Sequence, residues 1–279
     1  MDFKAYGKIN LSLDVTGILP NGYHSVSMVM QSVEFCDVVS IEKSDKIKVS
    51  CNNPDIPDGK DNLAYKACEL MIEKFGIPHG FNIKIHKNIP VAGGMAGGST
   101  DAAAVMRGIN KMCNLGVTTQ ELMELGVTLG ADIPFCIQQK PALAQGIGEK
   151  LTPVTGLSKD IYILLVNPNI SVSTKEIYQR IDNSKMFNRV NNEALIEALK
   201  TKNNEEISKN MFNVMEEVTK ELCPQIEEII SSLKSNGAFA ALMSGSGATC
   251  YGLFTDKNDA IKAQCAFNNY FTAITHPVE

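Results

Sequence analysis

The sequence predicts an α+β protein of two domains, residues 1–153 and 154–279, and three observations predict it. The chain opens on an alternating run in which Ile9, Leu11 and Leu13 point one way and Lys8, Asn10 and Ser12 the other, the period of a strand. A glycine-rich stretch at 93–98 then separates a strand pattern from a helix pattern. Beyond a linker at Pro153–Asp160, the remaining elements read β-α-β-β-α-β, the ferredoxin-like split unit, with extra helices inserted at 193–222.

Each element has a local reason. The strand over 5–13 carries Lys8 and Asn10 on a face that is either half-solvated or lines a polar cleft. Pro20-Asn21-Gly22-Tyr23-His24 is a turn signal that delivers an aromatic ring and an imidazole together. Residues 26–33, 37–43 and 46–51 read as three further strands. Asp61 is placed to cap a helix through Phe75, with Leu63, Ala67, Leu70 and Met71 inward and Gly76 closing it. A strand at 81–87 feeds the glycine-rich loop. After it Val105, Met106, Ile109, Met112 and Cys113 recur at helical spacing, with Ser99 or Thr100 as N-cap. Thr118 and Glu121 form a capping box for a helix with Leu122, Leu125 and Leu129 as its stripe, stopped by Gly130. In Ala131-Asp132-Ile133-Pro134 the carboxylate is either another cap or a chemical group. The second half offers strands at 161–166, 239–243, 249–254 and 271–275, a helix over about 257–269, and a tight Ser244-Gly245-Ser246-Gly247 connection.

Composition narrows the function classes. A net charge of -5 without a Lys/Arg run argues against nucleic acid or an anionic membrane as partner. No apolar stretch approaches membrane-span length, and no signal pattern precedes the first strand, so a cytoplasmic protein is expected. Eight cysteines are scattered without a C-x-x-C pair, the pattern of reduced core thiols.

The loop is the chemically suggestive stretch. Gly93, Gly94, Gly97 and Gly98 fall within six residues and let backbone amides approach a ligand, beside a helix N-terminus that favours negative charge. That is a place to hold phosphate. No Gly-Lys-Ser/Thr follows, and the G-x-G-x-x-G spacing is absent, so neither a Walker A loop nor a dinucleotide fingerprint is present.

A strand bearing Lys8, the central loop, the Asp132 loop and the late Met243-Ser244-Gly245-Ser246-Gly247-Ala248 turn together resemble the GHMP kinase superfamily. Ala5-Tyr6-Gly7-Lys8-Ile9-Asn10-Leu11, Asn21-Gly22-Tyr23-His24, Gly130-Ala131-Asp132-Ile133-Pro134-Phe135 and Gly146-Ile147-Gly148-Glu149 narrow the resemblance to its branch acting on a cytidine-diphosphate-linked alcohol. Met95 stands where leucine is common in the family, and Ala96 where glycine is. The first conserves volume, and the second is tolerated where φ need not be strongly positive.

The resemblance implies a two-domain GHMP kinase fold, with a β-rich ATP-binding N-terminal domain and a ferredoxin-like C-terminal domain that binds substrate. It implies ATP-dependent phosphorylation of the 2-hydroxyl of 4-diphosphocytidyl-2-C-methyl-D-erythritol in non-mevalonate isoprenoid synthesis, with Mg²⁺ bridging phosphates. Asp132 is then the general base and Lys8 the neighbouring cation. Pro90, Val91, Ala92, Gly93, Gly94, Met95, Ala96, Gly97, Gly98, Ser99 and Thr100 would form the ATP loop, with Asn62 and Lys87 near adenine and helix capping as the competing role for Asn62. Tyr23 and Tyr178 would sandwich cytosine, His24 would read its edge, and Asn10 and Thr174 would contact the remainder. No protein ligand for the metal is assigned. The alternatives are a homoserine- or mevalonate-type kinase, which needs no base-stacking pair, and a non-catalytic nucleotide sensor, which needs neither Asp132 nor Lys8.

Overall fold

The computed structural model describes residues 1–20, 22–183 and 190–279, which leaves Asn21 of the Asn-Gly-Tyr-His turn outside the described residues. By internal contacts the chain forms two units. One comprises Met1–Gly7, Cys36–Ile89 and Ala96–Gln139, and the other Lys8–Phe35, Pro90–Met95 and Lys140–Glu279. This division differs from a single cut at 153. The reason is that strands β1 (Asp2–Ile18) and β2 (His24–Ser44) are long enough to contribute to both units. The runs 26–33 and 37–43, expected as separate strands, are one continuous β2.

The first unit packs helices on a small sheet. Its elements are β3 (Lys48–Cys51), α1 (Leu63–Phe75), β4 (Gly80–His86), α2 (Gly97–Met112), α3 (Thr119–Gly126) and α4 (Ile133–Gln138). Val38 to Ser44 of β2 run antiparallel to β4, and β3 runs parallel to β4. Val39, Ile41, Ile83 and Ile85 project from the sheet onto Ala64, Ala67 and Met71 of α1 and the alanine-rich face of α2. Each large side chain buried there contributes about 1.5–3 kcal/mol. The helix lies close because residue 108 is glycine, where a Cβ would come within 2.5 Å of Ile41 Cδ1.

Capping explains the helix bounds. Asn62, not Asp61, caps α1 by accepting from Ala64 N, and Gly76 closes it at φ 59°. At α3 both bonds of the Thr118–Glu121 capping box are formed.

In the second unit β5 (Ala142–Gly146) pairs with Val26 to Met30 of β2, and β6 (Lys150–Pro153) pairs with β5, all antiparallel. There follow β7 (Tyr162–Asn167), α5 (Thr174–Asn183), α6 (Asn192–Thr201), α7 (Asn204–Asn210), β8 (Phe212–Asn213), α8 (Val214–Leu222) and α9 (Gln225–Ser235). The chain ends with β9 (Ala240–Met243), β10 (Cys250–Phe254), α10 (Lys257–Gln264) and β11 (Phe271–Thr275). A four-stranded antiparallel sheet in the order β11-β7-β10-β9 gives the ferredoxin-like arrangement. Its central strands are buried along their length, so they read in sequence as apolar runs without alternation. The helix expected to reach 269 stops at Gln264 and passes into a 3₁₀ turn. No helix among the described residues is long and apolar enough to cross a membrane, and none of the eight cysteines is in a disulfide.

Candidate active site

Lys8 is 5% exposed on β1, where alternation turns it inward with Asn10 and Ser12, which are both fully buried. Its ammonium donates to Asn10 Oδ1 at 2.6 Å and to the carbonyl of Gly94 at 2.8 Å. Asn10 in turn is held by Tyr251, whose hydroxyl donates to the Asn10 carbonyl at 2.7 Å. The first half of the glycine-rich loop is therefore tied to the first strand by a cation. Of the two open readings of that polar face, half-solvated or cleft-lining, full solvation is excluded by burial.

The late Ser-Gly-Ser-Gly turn braces the same loop. Ser244 Oγ donates to Gly94 O at 2.9 Å, and the Thr249 amide donates to Gly93 O. Gly94, at φ 77°, has no room for a side chain: a Cβ would lie 2.1 Å from Ser244 O. Three buried side chains hold the brace itself. Asn213 donates to Met243 O and Gly245 O, Glu216 accepts from the Met243 amide, and Thr219 donates to Ser246 O. Sequence reasoning assigned these three no role. Their signal was their spacing, since Glu216 and Thr219 share one buried face of α8 and Asn213 caps that helix.

The second half of the loop starts α2, and two expectations fail there. Ala96, not Ser99 or Thr100, is the N-cap, and no side chain caps the helix. Ala96 also adopts φ 58°, ψ 31°, a left-handed conformation that costs a non-glycine residue on the order of 1 kcal/mol. The position thus needs the positive φ that its alanine was expected to avoid. Thr100 is fully buried and its hydroxyl donates to Tyr6 O, so its side chain serves the fold. Gly97, Gly98 and Ser99 are left in the first turn with amides that no side chain caps.

Lys87 and Asn62, expected near adenine, are both committed within the first unit. Lys87 Nζ, on a side chain 5% exposed, donates to Asp37 Oδ2 and to Asp101 Oδ2, the latter at 2.8 Å. Burial works against its charge, but Asp101 and Asp37 outweigh it and hold the Lys87 pKa above the ordinary value. Burial also pushes the Asp101 carboxyl up to about 7, with Lys87 pulling against it. Asn62 uses its amide oxygen on Ala64 N and its amide nitrogen on Pro57 O. Asp132 behaves differently. It occupies the N-cap position of α4 yet accepts no capping hydrogen bond, so capping does not account for its carboxylate.

In the second unit His24 and Tyr178 meet as a stacked pair, with ring centroids 4.2 Å apart and planes 18° from parallel. His24 Nε2 lies 2.8 Å from Asp182 Oδ1, a partner that sequence reading did not suggest. Tyr23 is 61% exposed, and Thr174 Oγ1 pairs with Ser246 Oγ at 2.8 Å.

Residues 62–140 match the family described as GHMP kinases N terminal domain, and residues 195–273 match GHMP kinases C terminal. The chain is 48% identical to a 4-diphosphocytidyl-2-C-methyl-D-erythritol kinase of Clostridioides difficile (strain 630), over 94% of this chain and 90% of the relative. It is 44% identical to the kinase of that name from Caldicellulosiruptor saccharolyticus, over 94% and 91%. Among solved structures, a 4-(cytidine 5'-diphospho)-2C-methyl-D-erythritol kinase superposes with a TM-score of 0.82 at 28% identity, covering 99% of both chains. Methanococcus jannaschii mevalonate kinase, 17% identical with a TM-score of 0.78 over 100% and 98% of the chains, shares the fold. With both GHMP kinase domain models matched and relatives of this identity over nearly its whole length, the chain belongs to the GHMP kinases, in the 4-diphosphocytidyl-2-C-methyl-D-erythritol kinase family.

Proposed function

We propose that this small-molecule kinase transfers the γ-phosphoryl group of ATP to the 2-hydroxyl of 4-diphosphocytidyl-2-C-methyl-D-erythritol. The observation that carries the reading is the 2.8 Å hydrogen bond from Lys8 Nζ to the carbonyl of Gly94, a buried cation set against the glycine-rich loop. Phosphoryl transfer needs positioning and charge neutralisation more than covalent chemistry. In the proposed reaction Asp132 takes the proton of the acceptor hydroxyl, and the Lys8 ammonium stabilises negative charge on the attacking oxygen. An oxygen–phosphorus bond forms to the γ-phosphorus as its bond to the β,γ-bridging oxygen breaks, and ADP leaves with that electron pair. The amides of Gly93 to Ser99 hold the β- and γ-phosphates.

Mg²⁺, when bound, would supply charge neutralisation at the ATP phosphates. The ion would be carried mainly by the polyphosphate and water. Residues 1–153 would supply the nucleotide and catalytic groups, and 154–279 would contribute Thr174 and Tyr178 to substrate binding. Tyr23 and the His24–Tyr178 stack offer flat surfaces to cytosine, and Asn10 offers its amide to the methylerythritol portion.

The test is ADP release from MgATP with a panel of alcohols: 4-diphosphocytidyl methylerythritol, homoserine, mevalonate and galactose. Turnover with the cytidyl substrate alone is expected. Turnover with homoserine or mevalonate, and none with the cytidyl compound, would reject the assignment.

A further inference from the structure

The Asp37–Lys87–Asp101 cluster has no part in the proposed chemistry, yet it lies directly under the first turn of α2. A Cβ on Gly97 would stand 3.0 Å from Lys87 Nζ, so the ammonium touches the backbone where the helix begins. Asp101 is on the next turn, its side chain 5% exposed. Asp37, wholly buried, also accepts from the Asn88 and Ile89 amides through Oδ1 and so fixes the chain leading into the loop. Two carboxylates face one ammonium, and the second oxygen of Asp101 is buried with no hydrogen-bond partner among the described residues. An unpartnered buried acceptor is costly, and a neutral amide would relieve both the surplus charge and its desolvation. The carboxylate is thus out of keeping with stability alone.

We propose that Asp101 is a positioning residue that sets polyphosphate affinity: the cluster's surplus negative charge, acting through Lys87 on the first turn of α2, holds nucleotide binding below the strength that the bare turn would give. The inference rests on the reading that this turn takes the ATP phosphates. It gives the enzyme a built-in means of letting ADP go. A helix N-terminus and four glycines favour anions, and one opposing charge beneath them weakens the grip on substrate and product nucleotide alike.

The experiment measures MgATP and MgADP dissociation constants calorimetrically, without acceptor, for the full chain and four variants. Measured at pH 8, above the raised Asp101 pKa of about 7, Asp101→Asn removes one negative charge at nearly constant shape and is expected to tighten both nucleotides roughly three- to tenfold, the size of one charge acting at protein-like dielectric under screening. Asp37→Asn makes the same charge change at another position and should tighten binding likewise. Lys87→Gln adds to the surplus and should weaken it. KM for the cytidyl substrate should stay put in the folded variants, which a general loosening of the structure would not allow. Unchanged or weaker binding in a folded Asp101→Asn chain overturns the proposal. So does tightening in Asp101→Asn with none in a folded Asp37→Asn, because charge would then not be the cause. Gly98→Val separates this result from the underlying reading. Gly98 is exposed, and a Cβ there would sit 3.6 Å from its nearest neighbour, so the chain accommodates the change while phosphate loses its place. Wild-type MgATP affinity in Gly98→Val would sink the loop assignment. Weakened binding there, beside an unmoved Asp101→Asn, would sink only the charge proposal.

Discussion

Two lysines, each about 5% exposed and each bonded beside the glycine-rich stretch, are used in opposite ways. The hydrogen bonds described for Lys8 go to neutral oxygens, the Asn10 amide and the Gly94 carbonyl. Those of Lys87 go to two carboxylates. The first arrangement sets a cation against the backbone of the glycine-rich loop. The second spends the cation on holding β2, β4 and α2 together.

Exchanging each lysine for methionine is the strongest way to break this comparison. Lys87→Met leaves Asp37 and Asp101 buried without their counter-ion and is expected to cost about 3–5 kcal/mol in urea unfolding, enough to threaten the native state. Lys8→Met leaves the neutral acceptors on Asn10 and Gly94 short of a donor, a cost of about 1–3 kcal/mol. Its turnover, by contrast, should fall roughly a hundred- to a thousandfold, as when a group stabilising transition-state charge is lost. Equal stability losses with equal activity losses would erase the distinction.

A narrower test concerns the aromatic pair. Tyr178→Ala removes the ring on which His24 stacks and is expected to raise KM for the cytidyl substrate about tenfold, within the 1–3 kcal/mol typical of base stacking, while KM for ATP stays nearly unchanged. A parallel rise in both would detach the pair from substrate recognition.

A further test of the cluster is a pH slope. With its pKa raised to about 7 in the fold against 3.8 as a free side chain, Asp101 keeps a proton that the unfolded chain has lost across that interval. Folding then takes up a proton, so the contribution of this group to stability declines as pH climbs from about 4 to about 7 and is level on either side. Asp101→Asn should flatten that part of the urea-midpoint profile. An unchanged slope would place the ionisation elsewhere.

What could be read from the sequence was what neighbouring residues decide. The Thr118–Glu121 capping box, the Gly76 stop and the strand at 271–275 all depend on a few consecutive positions, and all three appear as expected. Lys8, Asp132 and the loop glycines stand out in the sequence because the motifs around them are contiguous. The bracing of the loop does not, because it joins Gly94 to Ser244, 150 positions apart, and Lys87 to Asp37, 50 apart. Neither a pattern nor a spacing in one sequence marks such pairs. The start of α2 was misplaced for a related reason. Side-chain capping rules favour Ser99 or Thr100, but the backbone turns at Ala96 in a left-handed conformation that those rules do not anticipate for alanine.

The central claim is that Asp132 is the base for the acceptor hydroxyl, and Asp132→Asn tests it most directly. Single-turnover phosphorylation of 4-diphosphocytidyl methylerythritol should be measured alongside MgATP affinity. The account predicts a loss in rate of roughly a thousandfold with ATP binding retained, since a general base is worth about 10²–10⁴ and the nucleotide does not depend on it. A variant that transfers phosphate at near the parental rate would contradict it.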